Sequence, residues 1–212
     1  MSFVTLADED ALSDVATFVS RARVLVPDGY VRLQTVGSVL MSSVLVRSGS
    51  GLLGAGTVVG MRGTALGQGA GALDVTVDLS AVADRLARMR GAGWLRLDVP
   101  PVLRQAPWAA VSPPRGGWSV IGEFAGEDVA FVAESGLARV QRERDAGADT
   151  AALTALDKQV WDESVGEGMG QFRAALALGV HALGFGGQGP VRLLRHGSWT
   201  RLSTAAGDVI GR

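Results

Sequence analysis

The sequence predicts an α+β protein, with an antiparallel sheet and flanking helices in the N-terminal half and a helical C-terminal half that ends in a β-hairpin. Segments of strict apolar–polar alternation, clearest at residues 73–79, alternate with segments of helical spacing in the first half. Residues 100–118 then separate two halves of different character, because they hold five of the seven prolines, and proline fixes φ and donates no backbone hydrogen bond.

The elements of the N-terminal half, residues 1–99, follow from periodicity. Three acidic residues precede the first apolar stripe, where the helix dipole favours negative charge. Ser80 is expected to cap the second helix. The predicted elements are a helix at 7–22, strands at 30–36, 38–47, 56–66 and 73–79, a helix from Ser80 to about residue 90, and a strand at 94–99.

The C-terminal half, residues 119–212, is predicted to be mostly helical. Gly136 is expected to break the first helix in its middle. The third helix is apolar nearly all round, which is typical of a buried helix. The predicted elements are helices at 126–144, 149–164 and 170–183, and strands at 191–195, 199–203 and 208–211.

We interpret residues 100–118 as a stiff, docked seam that lets the two halves pack into one body. Trp108 and Trp118 argue against a solvated linker, because each would bury a large apolar area on a surface. A small-molecule site near Trp108, Arg115 and Trp118 is one hypothesis that this seam raises.

Composition excludes several classes of function. The chain has no cysteine, which removes disulfides, thiolate nucleophiles and cysteine-ligated zinc. Its net charge of −1 creates no global attraction to nucleic acid or anionic lipid. No apolar run reaches the roughly 18 residues of a membrane span, and the N-terminus is acidic where a signal peptide would be basic. We therefore expect a cytoplasmic protein with no membrane association.

No motif predicts a catalytic residue, a cofactor or a metal site, and whether the chain is an enzyme stays open. Residues 49–54 match G-x-G-x-x-G, but β-branched residues and glycines follow them where a dinucleotide site needs a helix. His181 and His196 are the only histidines, and neither has a second histidine at helical spacing. We expect His181 to lie in the core or an interface and His196 to be solvated.

The C-terminal hairpin is locally basic. Residues 190–212 carry four arginines against Asp208, whereas residues 119–189 carry five basic and eleven acidic residues. Three helices and a hairpin are the element order of a winged helix, but the acidic surroundings disfavour DNA. We favour packing of the hairpin against acidic helices of its own half or of a second subunit, and hence a homo-oligomer. The candidate ligand or partner residues are Trp108, Arg115, Trp118, Arg192, Arg195, His196, Trp199 and Arg201.

Three segments together resemble a functionally unassigned family of actinobacterial proteins of about this length. They are YVRLQTVGSVL, APWAAVSPPRGGW and SWTRLSTAAGDVIGR. The resemblance implies one conserved unit over most of the chain and supplies no catalytic residue or ligand. We expect a non-catalytic binding or assembly protein whose protein partner is unknown. The alternatives are a small-molecule-binding protein or enzyme with a site between the halves, and a winged-helix nucleic-acid binder acting through the hairpin.

Overall fold

The structure is a computed structural model that describes residues 2–49, 56–69, 71–110, 112–187 and 189–212. It divides into two compact units. Unit 1 comprises Met1–Val46 and Val59–Ser112, and unit 2 comprises Arg47–Val58 and Pro113–Arg212. Both units combine helices with antiparallel strand pairs, so the mixed α+β class is confirmed. None of the described helices is long and apolar enough to cross a membrane.

Unit 1 consists of two helices, four neighbouring strands of a sheet and a two-stranded ribbon. The sheet has the order β5-β2-β3-β4, and β2 is antiparallel to both of its neighbours. The ribbon pairs β1 with β6, of which the sequence predicted only the second. The elements are β1 (Phe3–Thr5), α1 (Glu9–Leu25), β2 (Tyr30–Val36), β3 (Val39–Arg47), β4 (Val58–Ala65), β5 (Asp74–Asp78), α2 (Leu79–Ala92) and β6 (Arg96–Asp98).

The alternation of β2 and β5 explains both faces of this sheet. Val31, Leu33 and Val77 are fully buried, while the residues between them carry polar side chains. The expected cap at Ser80 is wrong: α2 begins at Leu79, and its N-cap is Asp78. The Asp78 carboxylate makes no capping bond, since it instead accepts hydrogen bonds from Arg104.

Unit 2 contains a four-stranded sheet of order β12-β11-β10-β7, with three helices. The sequence predicted a helical half with a terminal hairpin. It did not predict strand β7 or the short ribbon that pairs β8 with β9. That ribbon also shortens the third predicted helix at its start. The elements are β7 (Ser119–Phe124), α3 (Gly126–Asp145), α4 (Thr150–Asp162), β8 (Ser164–Val165), β9 (Phe172–Arg173), α5 (Ala174–Ala182), β10 (Val191–His196), β11 (Trp199–Ser203) and β12 (Asp208–Gly211).

Helix α3 continues through Gly136, so the expected break there is wrong. A β-carbon at this position would lie 2.6 Å from Cη2 of Trp161 and 3.0 Å from Cγ1 of Val160. The missing side chain allows α4 to pack closely against α3, and Trp161 is only 2 % exposed as a result. This glycine serves helix packing rather than helix termination.

The two ends of the 100–118 segment contact different units. In unit 1, the backbone N–H of Arg104 donates to the carbonyl of Thr76, and Arg32 donates to the carbonyl of Ala109 and to Ser112 Oγ at 2.5 and 3.1 Å. In unit 2, Trp118 Nε1 donates to the Pro114 carbonyl. Each part of the segment is therefore held by specific polar contacts within its own unit.

Candidate functional site

The strand register of unit 2 places one row of apolar side chains against α5. Leu193 is paired with Leu202, and Leu202 with Val209, and all three are fully buried. A β-carbon on Gly211 of the same sheet would lie 3.2 Å from Leu176 of α5. Because successive strand residues point to opposite faces, the neighbouring rows project away from α5.

We call this second surface the open sheet face. It is defined by the side chains that project from β7, β10, β11 and the residues next to them, opposite α5. Val120 and Leu194 lie opposite each other on this face, and Val120 is 60 % exposed. The open sheet face includes Trp118, Val120, Glu123, Arg192, Leu194, His196, Trp199, Arg201 and Arg212.

An aromatic row runs along one end of the open sheet face. The rings of Trp118 and His196 are 6.0 Å apart and tilted by 57°. His196 is paired in register with Trp199, whose ring lies 5.6 Å from the guanidinium carbon of Arg212. His196 Nδ1 is also 2.9 Å from the carbonyl oxygen of Gly117. The row therefore holds aromatic and cationic groups in defined positions at a half-exposed surface.

Two other arginines of this face are paired with carboxylates. Arg201 makes a bidentate contact with Asp208, with Nε and Nη2 at 2.9 and 2.8 Å from its two oxygens, and its guanidinium carbon lies 5.7 Å from the Trp118 ring. Nε of Arg192 lies 3.6 Å from Oε2 of Glu123, and both side chains are exposed. Two of the four arginines of the hairpin segment are therefore paired with carboxylates of the same sheet.

The structure brings together five of the eight candidate residues and separates three. Arg195 points to the opposite face, where it donates to the carbonyl of Gln171 at 2.6 Å. Trp108 lies in a 3-10 turn of unit 1, Pro107–Ala110, and Arg115 is exposed on the segment that leads to Trp118. The predicted small-molecule site near Trp108, Arg115 and Trp118 stays a prediction.

Val120, Leu194 and Arg212 are among the members of the face that sequence reasoning did not select as candidates. Val120 lies on a strand that the sequence did not predict. Arg212 was counted as part of the basic hairpin, but its position over Trp199 depends on how β12 packs beside β11. The sequence predicted a turn at residues 196–198, whereas in the structure His196 is the last residue of β10 and pairs with Trp199.

A groove between α3 and α4 offers a cavity of about 440 Å³. Its lining combines Leu137, Val140 and Trp161 with polar side chains. Those polar groups are already paired: Asp157 accepts from Trp161 Nε1 at 2.9 Å and from Arg47 outside the groove at 2.6 Å, and Arg144 donates to Gln141 at 3.0 Å. The groove therefore presents few polar groups that converge on a ligand, which specific small-molecule sites require.

The remaining sequence signals do not converge on this face. His181 was expected in the core or an interface, but it is exposed, with Nδ1 3.9 Å from Glu134 of α3. Residues 50–54 of the G-x-G-x-x-G match lie outside the described residues. Among the described residues, no group of three or more His, Asp or Glu side chains is arranged to hold a metal ion.

Comparisons with known proteins identify the two halves of the chain separately. Residues 1–110 match the family described as a domain of unknown function (DUF8010), and residues 113–212 match a second domain of unknown function (DUF8185). No curated protein matches the chain.

One solved structure of similar fold is the DNA polymerase III beta subunit from Thermotoga maritima. The two chains are 9 % identical, and their superposition has a TM-score of 0.55. It covers 99 % of this chain and 64 % of that one, so this chain spans less than two thirds of the length of its structural relative. At this identity the similarity concerns the fold alone.

Proposed function

The chain belongs to the DUF8010 family, a functionally unassigned family as its sequence resemblance implied, and on this premise we propose that it is a non-catalytic binding and assembly protein. We place its interaction surface on the open sheet face of unit 2. The observation that carries this proposal is the aromatic row, in which Trp118, His196 and Trp199 share one half-exposed edge with Arg212.

The composition of the face fits a protein partner. Tryptophan and arginine are the residues most enriched among the energetically dominant contacts of protein interfaces. Val120 and Leu194 add an apolar centre next to the row. The rings are already oriented by their mutual contacts, so binding would cost little additional side-chain entropy.

Charge indicates the chemistry of the partner. Arg192 and Arg201 face carboxylates, whereas Arg115 and Arg212 have no carboxylate partner among the described residues. The face and its approach are therefore net cationic. An acidic surface that also presents an apolar or aromatic side chain would complement them.

The two alternatives have less support. A winged helix reads DNA with an exposed, polar helix, whereas residues 174–180 of α5 are all buried. A small-molecule role would use the α3–α4 groove, whose polar groups are already paired. The cytoplasmic location and the homo-oligomer remain predictions.

The test is the effect of a charge placed on the open sheet face. We would measure molar mass by size-exclusion chromatography with light scattering, over a concentration series, for the native protein and for Val120→Asp. Val102→Asp is the matched control, because Val102 is 54 % exposed in unit 1 and Val120 is 60 % exposed. We expect the native protein and the control to associate at high concentration and Val120→Asp to stay monomeric. Equal association of all three would refute the proposed surface.

A further inference from the structure

Helix α3 exposes a large aromatic side chain on its outer face. Phe131 is 70 % exposed, more than any other phenylalanine or tryptophan among the described residues. Burial of an apolar ring of this size is favourable, because it removes apolar surface from water. Covering this side chain with another protein surface would therefore be favourable.

Three carboxylates surround this ring. Glu127, Asp128 and Glu134 are four and three residues before and three residues after Phe131, spacings that bring side chains together on one helix face. All three are exposed. Glu134 lies near His181, and no described residue forms an ion pair with Glu127 or Asp128. We call Phe131 and these three residues the α3 knob.

The α3 knob has the chemistry that the open sheet face lacks. The face presents Trp199 with Arg212, and the exposed segment that leads to Trp118 carries Arg115; neither arginine has a carboxylate partner among the described residues. The knob presents an aromatic ring with exposed carboxylates. We propose that the partner of the open sheet face is the α3 knob of a second copy of this chain. This inference rests on the proposed function, and it names the partner.

The proposed contact is heterologous because α3 packs on α5, on the side of the sheet opposite the open face, so one two-fold interface cannot contain both surfaces. The knob lies on a helix of unit 2, whereas the open sheet face is turned away from α5 in the same unit. Each copy would then keep one free face and one free knob after the first contact. A heterologous contact that does not close into a ring continues into a longer chain of subunits.

The experiment uses one variant for each surface in the full chain. The face variant carries Arg212→Glu on the face and Arg115→Glu on the segment that leads to it, and it leaves the knob intact. The knob variant carries Phe131→Ala and Glu127→Gln and leaves the face intact. Val24→Ala is the control for Phe131→Ala, because Val24 is an exposed helix residue, 84 % accessible, in unit 1. Circular dichroism checks that each variant is folded, and light scattering measures molar mass alone and in mixtures.

We expect each variant alone to associate at least about tenfold more weakly than the native protein, which is the loss typical of an interface residue that dominates binding. A mixture of the two variants should form a 1:1 dimer that does not grow, since it contains one intact face and one intact knob. A knob variant that associates normally while the face variant does not would overturn this inference and leave the proposed function standing. Native protein that is monomeric at every concentration would overturn both.

Discussion

Substitution of Gly136 by alanine tests the close packing of α3 against α4. Alanine inside a helix normally gains about 1 kcal/mol over glycine. Here the new β-carbon would lie 2.6 Å from Cη2 and 2.8 Å from Cζ3 of Trp161. The indole is held by its hydrogen bond to Asp157, which also binds Arg47, so the ring cannot move away without losing these contacts.

Overpacking a filled interior costs about 1–3 kcal/mol, so we expect Gly136→Ala to lower the free energy of unfolding by up to about 2 kcal/mol once the helix gain is subtracted. Gly91→Ala is the control, because a β-carbon on Gly91 of α2 would contact nothing within 4 Å. It should raise stability by about 0.5–1 kcal/mol. Urea unfolding followed by circular dichroism measures both.

The same substitution in a second variant separates the cost of overpacking from the gain in helix propensity. In a Trp161→Leu chain the ring is absent, and Gly136→Ala should become neutral or stabilising. A Gly136→Ala protein that is as stable as Gly91→Ala would refute the reasoning, since it would mean that the helices have room for a side chain at this position.

Two further predictions concern the contacts that support the seam and the aromatic row. Gly117 has φ +75°, and a β-carbon there would lie 3.0 Å from the His196 ring. Gly117→Ala should therefore lower the free energy of unfolding by about 1–2 kcal/mol and change Trp118 fluorescence. Gly116→Ala is the control and should change neither. Arg32 is largely buried and donates to Asp74, to the carbonyl of Ala109 and to Ser112, so Arg32→Met should cost about 1–3 kcal/mol and increase proteolysis near Ala109. The exposed pair of Arg96 with Asp98 is its control, and Arg96→Met should cost less than about 1 kcal/mol. Equal protease sensitivity of the two variants would contradict the role of Arg32.

Local patterns predicted the elements whose apolar period is unbroken. Helix α1 and the hairpin of β10 and β11 lie within a few residues of their predicted positions. Strand β7 was missed because its six residues include glycine and glutamate and follow directly after the proline-rich segment. Its place in the sheet depends on pairing with β10, which is distant in sequence. Long-range pairing of this kind leaves no local signal.

The candidate site could be predicted only in part for the same reason. Residues close in sequence, such as His196 and Trp199, are placed together by a turn that the sequence shows. The contact of Trp118 with His196 and that of Arg212 with Trp199 depend on how separate strands are arranged. Charge counting grouped Arg195 with Arg201, whereas strand alternation assigns the two side chains to opposite faces of the sheet.

Hydrogen exchange of the native protein at low and high concentration tests the proposed interaction surface most directly. Backbone amides exchange more slowly where an interface restricts local opening. Our account predicts slower exchange at high concentration in residues 118–124 and 191–199 of the open sheet face and in residues 127–135 of α3, with no change in α1. Concentration-independent exchange in all of these segments, or protection confined to unit 1, would contradict it.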